Sequence, residues 1–223
     1  MVRHSIVRGI LRGSILLTLS LSLSRAQAQS FTNPGFETGD FTGWTTEVTG
    51  PPGQTLGVAA VLPFDVVSGV SSPAASLTTG AGINNNFLNL TQSLTFANAG
   101  TLILTADVAA TLVSPDVNTV ATANFYVLVD GQLQTTSATG FLNFTGTQRG
   151  TVSATVSITQ GTHEVGFALR NVSLDFPGTS SALVSYLDNA RSEFTPVPAP
   201  NALLMALIGS LPGLGWLAHR RRA

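Results

Sequence analysis

The chain has 223 residues, 43 % hydrophobic and only 9 % charged, with ten arginines, no lysine and no cysteine. That composition excludes disulfides, thiol catalysis and phosphate-cradling loops that end in a lysine. The formal charge of −1 conceals an asymmetry: seven arginines lie in the two ends, while residues 29–195 hold all eleven carboxylates and only Arg149, Arg170 and Arg191, a net −8. An acidic middle of this kind repels nucleic acid and anionic lipid, so nucleic acid is excluded as a partner.

The first 28 residues read as a secretory signal peptide. Arg3, Arg8 and Arg12 form a basic start, Ser14 to Ser24 a short apolar stretch, and Ala26-Gln27-Ala28 a small-x-small cleavage site. Eleven apolar residues would cover only about 16 Å as a helix, too little to span a bilayer.

Residues 29–195 form one domain, long enough for a sizeable core. No stretch keeps a 3.6-residue period, and short β-branched runs alternate with turn residues. Strands are expected at Leu56–Leu62, Phe87–Thr95, Thr101–Leu112, Ala121–Val129, Leu133–Ser137, Gly150–Ile158, His163–Leu169 and Ser185–Phe194. By period two, Ala123, Phe125, Val127 and Val129 share one face, as do Val152, Ala154, Val156 and Ile158, the pattern of antiparallel sheets wet on one side. Asp130-Gly131 is the residue pair favoured in a type I′ hairpin turn, and Gln160-Gly161 joins two further strands. Eight strands and no helical pattern imply an all-β antiparallel β-sandwich, of jelly-roll type.

Two stretches at the ends of this domain carry functional information. The opening is Phe31-Thr32-Asn33-Pro34-Gly35-Phe36-Glu37-Thr38-Gly39-Asp40-Phe41-Thr42-Gly43-Trp44, and the closing is Tyr186-Leu187-Asp188-Asn189-Ala190. The pair resembles the opening and closing motifs of extracellular jelly rolls, the carbohydrate-binding modules and galactose-binding-like domains. The resemblance implies a structural calcium shared by Glu37 and Asp188. Calcium takes six to eight hard oxygens, so two such carboxylates would staple the ends of a domain that has no disulfide. It also implies a sugar ligand. The segment Phe141-Leu142-Asn143-Phe144 is the expected exposed patch, with Phe141, Asn143 and Phe144 as ligand-binding residues. Trp44 is expected in the core, while Tyr126 and Tyr186 are further stacking candidates.

Enzyme signatures are thin. His163 is the one histidine of the domain, inside an expected strand, and there is no G-x-S-x-G elbow. No pattern singles out two of the eleven carboxylates for glycoside hydrolysis. A non-enzymatic protein is expected, with a glycoside or ester hydrolase as the remote alternative and a self-associating matrix or adhesion protein as the nearer one.

The tail, residues 196–223, has three parts: a proline-rich junction, an uncharged apolar run of 17 residues from Ala202 to Ala218, and Arg220-Arg221-Arg222. As a helix the run spans roughly 25 Å, the short end of what crosses a bilayer, and the arginines behind it stay cytoplasmic. Val197-Pro198-Ala199-Pro200, the apolar helix and the terminal arginines resemble the PEP-CTERM sorting signal, with Ala199 standing where that family carries glutamate. The resemblance implies an exosortase-type sorting enzyme as partner and transient contact with the inner membrane. Delivery would be to the envelope, surface or extracellular matrix of a Gram-negative bacterium, where polysaccharide is the expected ligand.

Overall fold

The computed structural model describes residues 29–79, 84–113, 120–142, 146–174 and 182–197. The signal-peptide reading, the sorting motif beyond Val197, Asn143 and Phe144 all lie outside these residues. Among the described residues there are ten strands and no helix, hence none long and apolar enough to cross a membrane. The strands are β1 (Thr45–Thr49), β2 (Val58–Phe64), β3 (Ser72–Thr79), β4 (Asn84–Phe96), β5 (Gly100–Val113), β6 (Val120–Val129), β7 (Gln132–Leu142), β8 (Thr147–Ile158), β9 (Gly161–Leu174) and β10 (Ala182–Pro196).

They form two antiparallel five-stranded sheets, ordered β1-β4-β9-β6-β7 and β2-β3-β10-β5-β8. The chain changes sheet at most connections, as in jelly-roll windings. The alternation read from sequence places the core: Ala123, Phe125 and Val127 of β6 and Val152 of β8 are fully buried, in one core with Phe167, Leu88 and Leu90. Asp130 and Gly131 both have positive φ, 48° and 74°, so the β6–β7 hairpin turns through the expected type I′ geometry.

Two strands were not expected. β1 is only five residues long, and β3 begins Ser-Pro-Ala-Ala, a run of low β-propensity. Both form because a neighbour supplies the ladder: β4 pairs with β1, and β3 is sandwiched between β2 and β10. β10 also runs one residue past the domain boundary read at Thr195, with Pro196 opposite Gly100 and the Val197 amide donating to Ala99 O at 2.9 Å.

Gln29 donates to Thr95 O and its carbonyl accepts from the Ser192 hydroxyl. The domain therefore begins and ends at one end of the sandwich, beside the β4–β5, β6–β7 and β8–β9 turns. There His163 is clamped: its Nδ1 lies 2.7 Å from Asp130 Oδ2 and its Nε2 3.2 Å from Thr159 Oγ1 and from Thr159 O.

Candidate functional site

The opening segment folds on itself before it meets the sheets. Asn33, at φ 51°, donates through Nδ2 to Thr38 Oγ1 at 2.7 Å and to the carbonyls of Asp40 and Thr42. Asp40 accepts from the Thr38 hydroxyl and the Thr42 amide, and these bonds hold its carboxyl below the usual range. Trp44 donates its indole N–H to Asn33 O at 3.0 Å and stacks on Phe31 and Phe36, with ring centroids at 4.9 and 5.5 Å. The glycines and aromatics of the motif thus build a plug, in which Phe36 is fully buried and Trp44 is core. Reciprocal bonds between the Thr32 backbone and the Gln92 amide fix the plug to β4. The Ala190 amide bonds Pro34 O at 2.9 Å and fixes it to β10.

That second tether brings the closing motif to the opening one. Glu37 Oε1 and Asp188 Oδ1 both converge on Gly35: a methyl group placed on its α-carbon would meet them at 3.1 and 3.4 Å. Asp188 is 2 % exposed, accepts from Ser72 Oγ at 2.7 Å and from the Asn189 amide, and sits at a bulge where the β10–β5 register shifts. Burial pushes its carboxyl above the usual range against those two hydrogen bonds, and the nearby charges of Glu37 and Asp107 add to the rise. Asp107, directly opposite on β5, is itself paired with Arg191 at 2.8 Å. Among the described residues no group of three or more His, Cys, Asp or Glu gathers as a metal site. A cation here would rest on Glu37 and Asp188 with neutral oxygens, a donor set that suits a hard ion such as calcium.

The outer face of the β1-β4-β9-β6-β7 sheet carries a second feature, which the sequence did not single out. With Leu88, Leu90, Val165, Phe167, Phe125 and Val127 turned inward, their alternates form the outer face, on which Asn89, Asn124 and Tyr126 are half-buried and Thr91, Ala168 and Leu128 are buried. Register sets these alternates in rows: Thr49, Phe87, Arg170 and Asn124; then Glu47, Asn89, Ala168 and Tyr126; then Thr45, Thr91, Gly166 and Leu128. The central strand β9 contributes the two smallest residues, Ala168 and Gly166, so a shallow trough runs along it, its floor buried between the side chains of β4 and β6. Toward the β6–β7 turn lies an open cleft of about 210 Å³, lined by Glu47, Asn89, Thr91, Leu128, Gly131 and Glu164 among others. Thr91 Oγ1 donates to Glu164 Oε1 at 2.6 Å, and Asn89 Nδ2 reaches Glu47 Oε2 at 3.4 Å. At the far end of the trough the Arg170 guanidinium lies over the Phe87 ring, 5.2 Å from its centroid.

The aromatic candidates are sorted by these contacts. Phe141 is half-buried, edge-on to Phe125 at 5.8 Å and against Gly150, so it does not form the exposed platform expected of it. Tyr186 is also covered: Phe64 stacks flat on it at 3.8 Å, and burial raises its phenol above the usual range. Tyr126 alone of the two tyrosines stands half-exposed on a sheet face. Val197 is exposed where the described chain ends.

No family profile and no characterised protein sequence matches the chain. Among solved structures it is similar to the enzymatically active domain of bacteriophage CBA120 tailspike protein 4, at 12 % identity and TM-score 0.45; the match covers 75 % of this chain and spans only 22 % of the tailspike chain. It is similar to TmCBM61, solved in complex with β-1,4-galactotriose, at 14 % identity, TM-score 0.44, and coverage of 76 % of this chain and 100 % of that one. A third is the N-terminal CBM22-1-CBM22-2 tandem domain of Paenibacillus barcinonensis Xyn10C, at 15 % identity, TM-score 0.41, and coverage of 79 % and 49 %.

Proposed function

We propose that this is an exported, non-enzymatic protein of the bacterial envelope or extracellular matrix, whose sandwich binds polysaccharide along the outer face of the β1-β4-β9-β6-β7 sheet. The trough floored by Gly166 and Ala168 is the observation that carries this reading. The cleft at Glu47, Asn89 and Glu164 is open to solvent, which suits a polymer entering from outside better than a small molecule enclosed on all sides. Its walls offer what a glycan needs: carboxylates and amides for hydroxyl groups (Glu47, Asn89, Glu164, Asn124) and a half-exposed ring, Tyr126, for the apolar face of a sugar.

A catalytic reading has less behind it. The hydroxyl–imidazole–carboxylate line Thr159–His163–Asp130 lies between hairpin ends, and its hydrogen bonds tie β6, β8 and β9 together. Glu37 and Asp188, with calcium between them, would join the first and last segments of the domain where other exported domains use a disulfide. The tail, by its resemblance to a PEP-CTERM signal, would be read by an exosortase at the inner membrane, leaving the domain outside the cytoplasm.

Affinity electrophoresis of the protein through gels containing neutral, acidic and amino polysaccharides tests the binding. Retardation by at least one polymer, lost in Tyr126→Ala, is expected; unretarded migration in all of them would overturn the reading.

A further inference from the structure

Residues 29–195 hold three arginines and no lysine against eleven carboxylates. Two of the arginines are spent inside the fold: Arg149 pairs with Asp65 at 3.3 Å, and Arg191 with Asp107 at 2.8 Å. The third, Arg170, lies over Phe87 and donates to Asn85. The one histidine, His163, is held by Asp130 at 2.7 Å, and alternation along β9 puts it on the opposite face from Glu164. Glu47 of β1 and Glu164 of β9 are therefore left without a cation among the described residues, and both line the open cleft near the β6–β7 turn.

The groups that hold these two carboxylates are neutral. Thr91 Oγ1 donates to Glu164 Oε1 at 2.6 Å, and Asn89 Nδ2 donates to Glu47 Oε2 at 3.4 Å. Each bond takes one carboxylate oxygen and leaves the other as an acceptor. Two carboxylates at one cleft without a counter-charge repel each other, and a cationic guest relieves that repulsion as it binds. The surroundings indicate what carries the cation. Leu128 gives the cleft an apolar lining, and half-exposed Tyr126 shares the cross-strand row of Glu47 and Asn89. Carboxylates beside an aromatic ring suit a molecule that is cationic at one group and apolar on one face. A bare calcium ion gains nothing from the ring, and two carboxylates supply few of the roughly six to eight oxygens it takes.

On the reading of the trough as a polysaccharide site, we propose that the cleft is a subsite for a sugar with a free amine. Its ammonium group lies between Glu47 and Glu164, and its ring extends toward Tyr126. The substrate class is a polymer of unacetylated or partly deacetylated hexosamine. N-acetylation cancels the charge and adds bulk, so an acetylated unit loses the charge-assisted bonds to both carboxylates. The domain's net charge of −8 draws such a polycation in. Arg170 does not oppose it: from Gly166, in the row of Thr91 and Leu128, Arg170 is four residues along β9. That is about 13 Å of strand, beyond the Debye length of roughly 8 Å at physiological salt.

Calorimetric titration of the full chain with a soluble glucosamine oligomer, and with the same oligomer after N-acetylation, tests the subsite. The free amine is expected to bind about tenfold tighter or more, with an affinity that falls as salt rises. Glu47→Gln and Glu164→Gln keep an oxygen for Asn89 and Thr91 to bond, and each should remove part of the preference. The double variant should bind both oligomers alike, through Tyr126 and Asn89. Glu193→Gln changes the net charge equally at an exposed position on β10, in the other sheet, and should keep the preference. Equal affinity of the native chain for the two oligomers overturns the proposal and leaves the trough standing wherever Tyr126→Ala still abolishes binding. A loss in Glu193→Gln as large as in Glu47→Gln also overturns it, since the attraction would then be to overall charge. So does calcium that competes with the glucosamine oligomer, which would make the cleft a metal site. If neither oligomer binds, the amine subsite falls, and retardation by other polymers decides the trough separately.

Discussion

Glu37 and Asp188, from the two ends of the domain, direct one carboxylate oxygen each at the α-carbon of Gly35. Asp188 is buried there with its carboxyl raised, so without a cation the folded state holds that proton to higher pH than the unfolded chain does. The sign follows: this group's contribution to stability is greatest at low pH and falls as pH rises from the ordinary carboxylate value through the raised one. Calcium reverses the preference, because it binds the ionised pair. With calcium at 100 times its Kd the gain is about 2.7 kcal/mol, or roughly 5–10 °C in Tm for a domain of this size. Chelation should lower the melt by that amount in the native chain and leave Glu37→Ala unmoved. Asp188→Asn should melt higher than the chelated native chain at neutral pH, without a calcium response. A native melt indifferent to chelator removes the metal.

The His163 clamp has the opposite pH sign. Its hydrogen bond, first among the causes, holds the Asp130 carboxyl below the usual range, and the Glu164 amide adds to it. The stability this gives is present above the ordinary carboxylate value and is lost as pH falls through the lowered one. Asp130 is largely exposed, so Asp130→Asn is expected to cost no more than about 1 kcal/mol. The variant's melt should converge on the native one in acid, read by thermal scans from neutral pH downward. A difference that widens in acid would mean the clamp acts through something other than this carboxylate.

Gly166 is the trough residue with the least freedom to vary. A Cβ at this position would lie 1.9 Å from Leu90 O, inside the neighbouring strand's backbone. The clash cannot be relieved by rotating a side chain, so Gly166→Ala should cost at least the 1–3 kcal/mol of ordinary overpacking. Chemical denaturation of the variant measures it, and a loss under about 0.5 kcal/mol would show that β4 and β9 can part at no cost to the sheet.

The fold was legible where side chains alternate cleanly and opaque where a strand depends on its neighbours. Phe125 and Val127 of β6 announce a buried face by period two, and Asp130-Gly131 announces its own turn. β3 announces nothing: Ala74, Ala75 and Ser76 are buried because β2 and β10 flank them, a fact of pairing that no local run encodes. The same division runs through the candidate sites. Glu37 and Asp188 could be named because each sits in a motif. The trough could not, because Asn89, Ala168 and Tyr126 come from three strands and become a row only through register. Phe141 was expected on an exposed patch between strands; it lies within β7, where Gly150 of β8 packs against it and Phe125 meets it edge-on, contacts that only the pairing of strands creates.

Processing is open to direct measurement. The mature protein taken from its native host should begin at Gln29 and lack the apolar run 202–218 and Arg220–Arg222, as intact mass and terminal sequencing would show. The Val197-Pro198-Ala199-Pro200 junction makes this decisive, since Ala199 removes the one carboxylate that the sorting motif would offer. A mature chain that keeps its terminal arginines would mean that the tail is an anchor, and Ala199→Glu should then increase release into the medium.

The trough makes the sharpest functional prediction because its walls differ in chemistry. Tyr126 and Asn89 flank the buried Ala168, so one sugar ring lying across the two would meet the tyrosine ring on one side and the amide on the other. Replacing either by alanine removes about 0.5–1.5 kcal/mol of stacking or hydrogen bonding. That is roughly three- to tenfold in Kd, and with both gone the binding should fall below detection. Arg170 separates ligand classes. Its guanidinium stacks on Phe87 and donates to Asn85 Oδ1 at 3.0 Å, and it pairs with no carboxylate among the described residues. Arg170→Ala should hardly affect a neutral polymer, but it should weaken a uronic-acid polymer strongly and remove most of the salt dependence of its binding. If the protein with both Tyr126→Ala and Asn89→Ala binds as the native chain does, the polymer lies elsewhere on the sandwich.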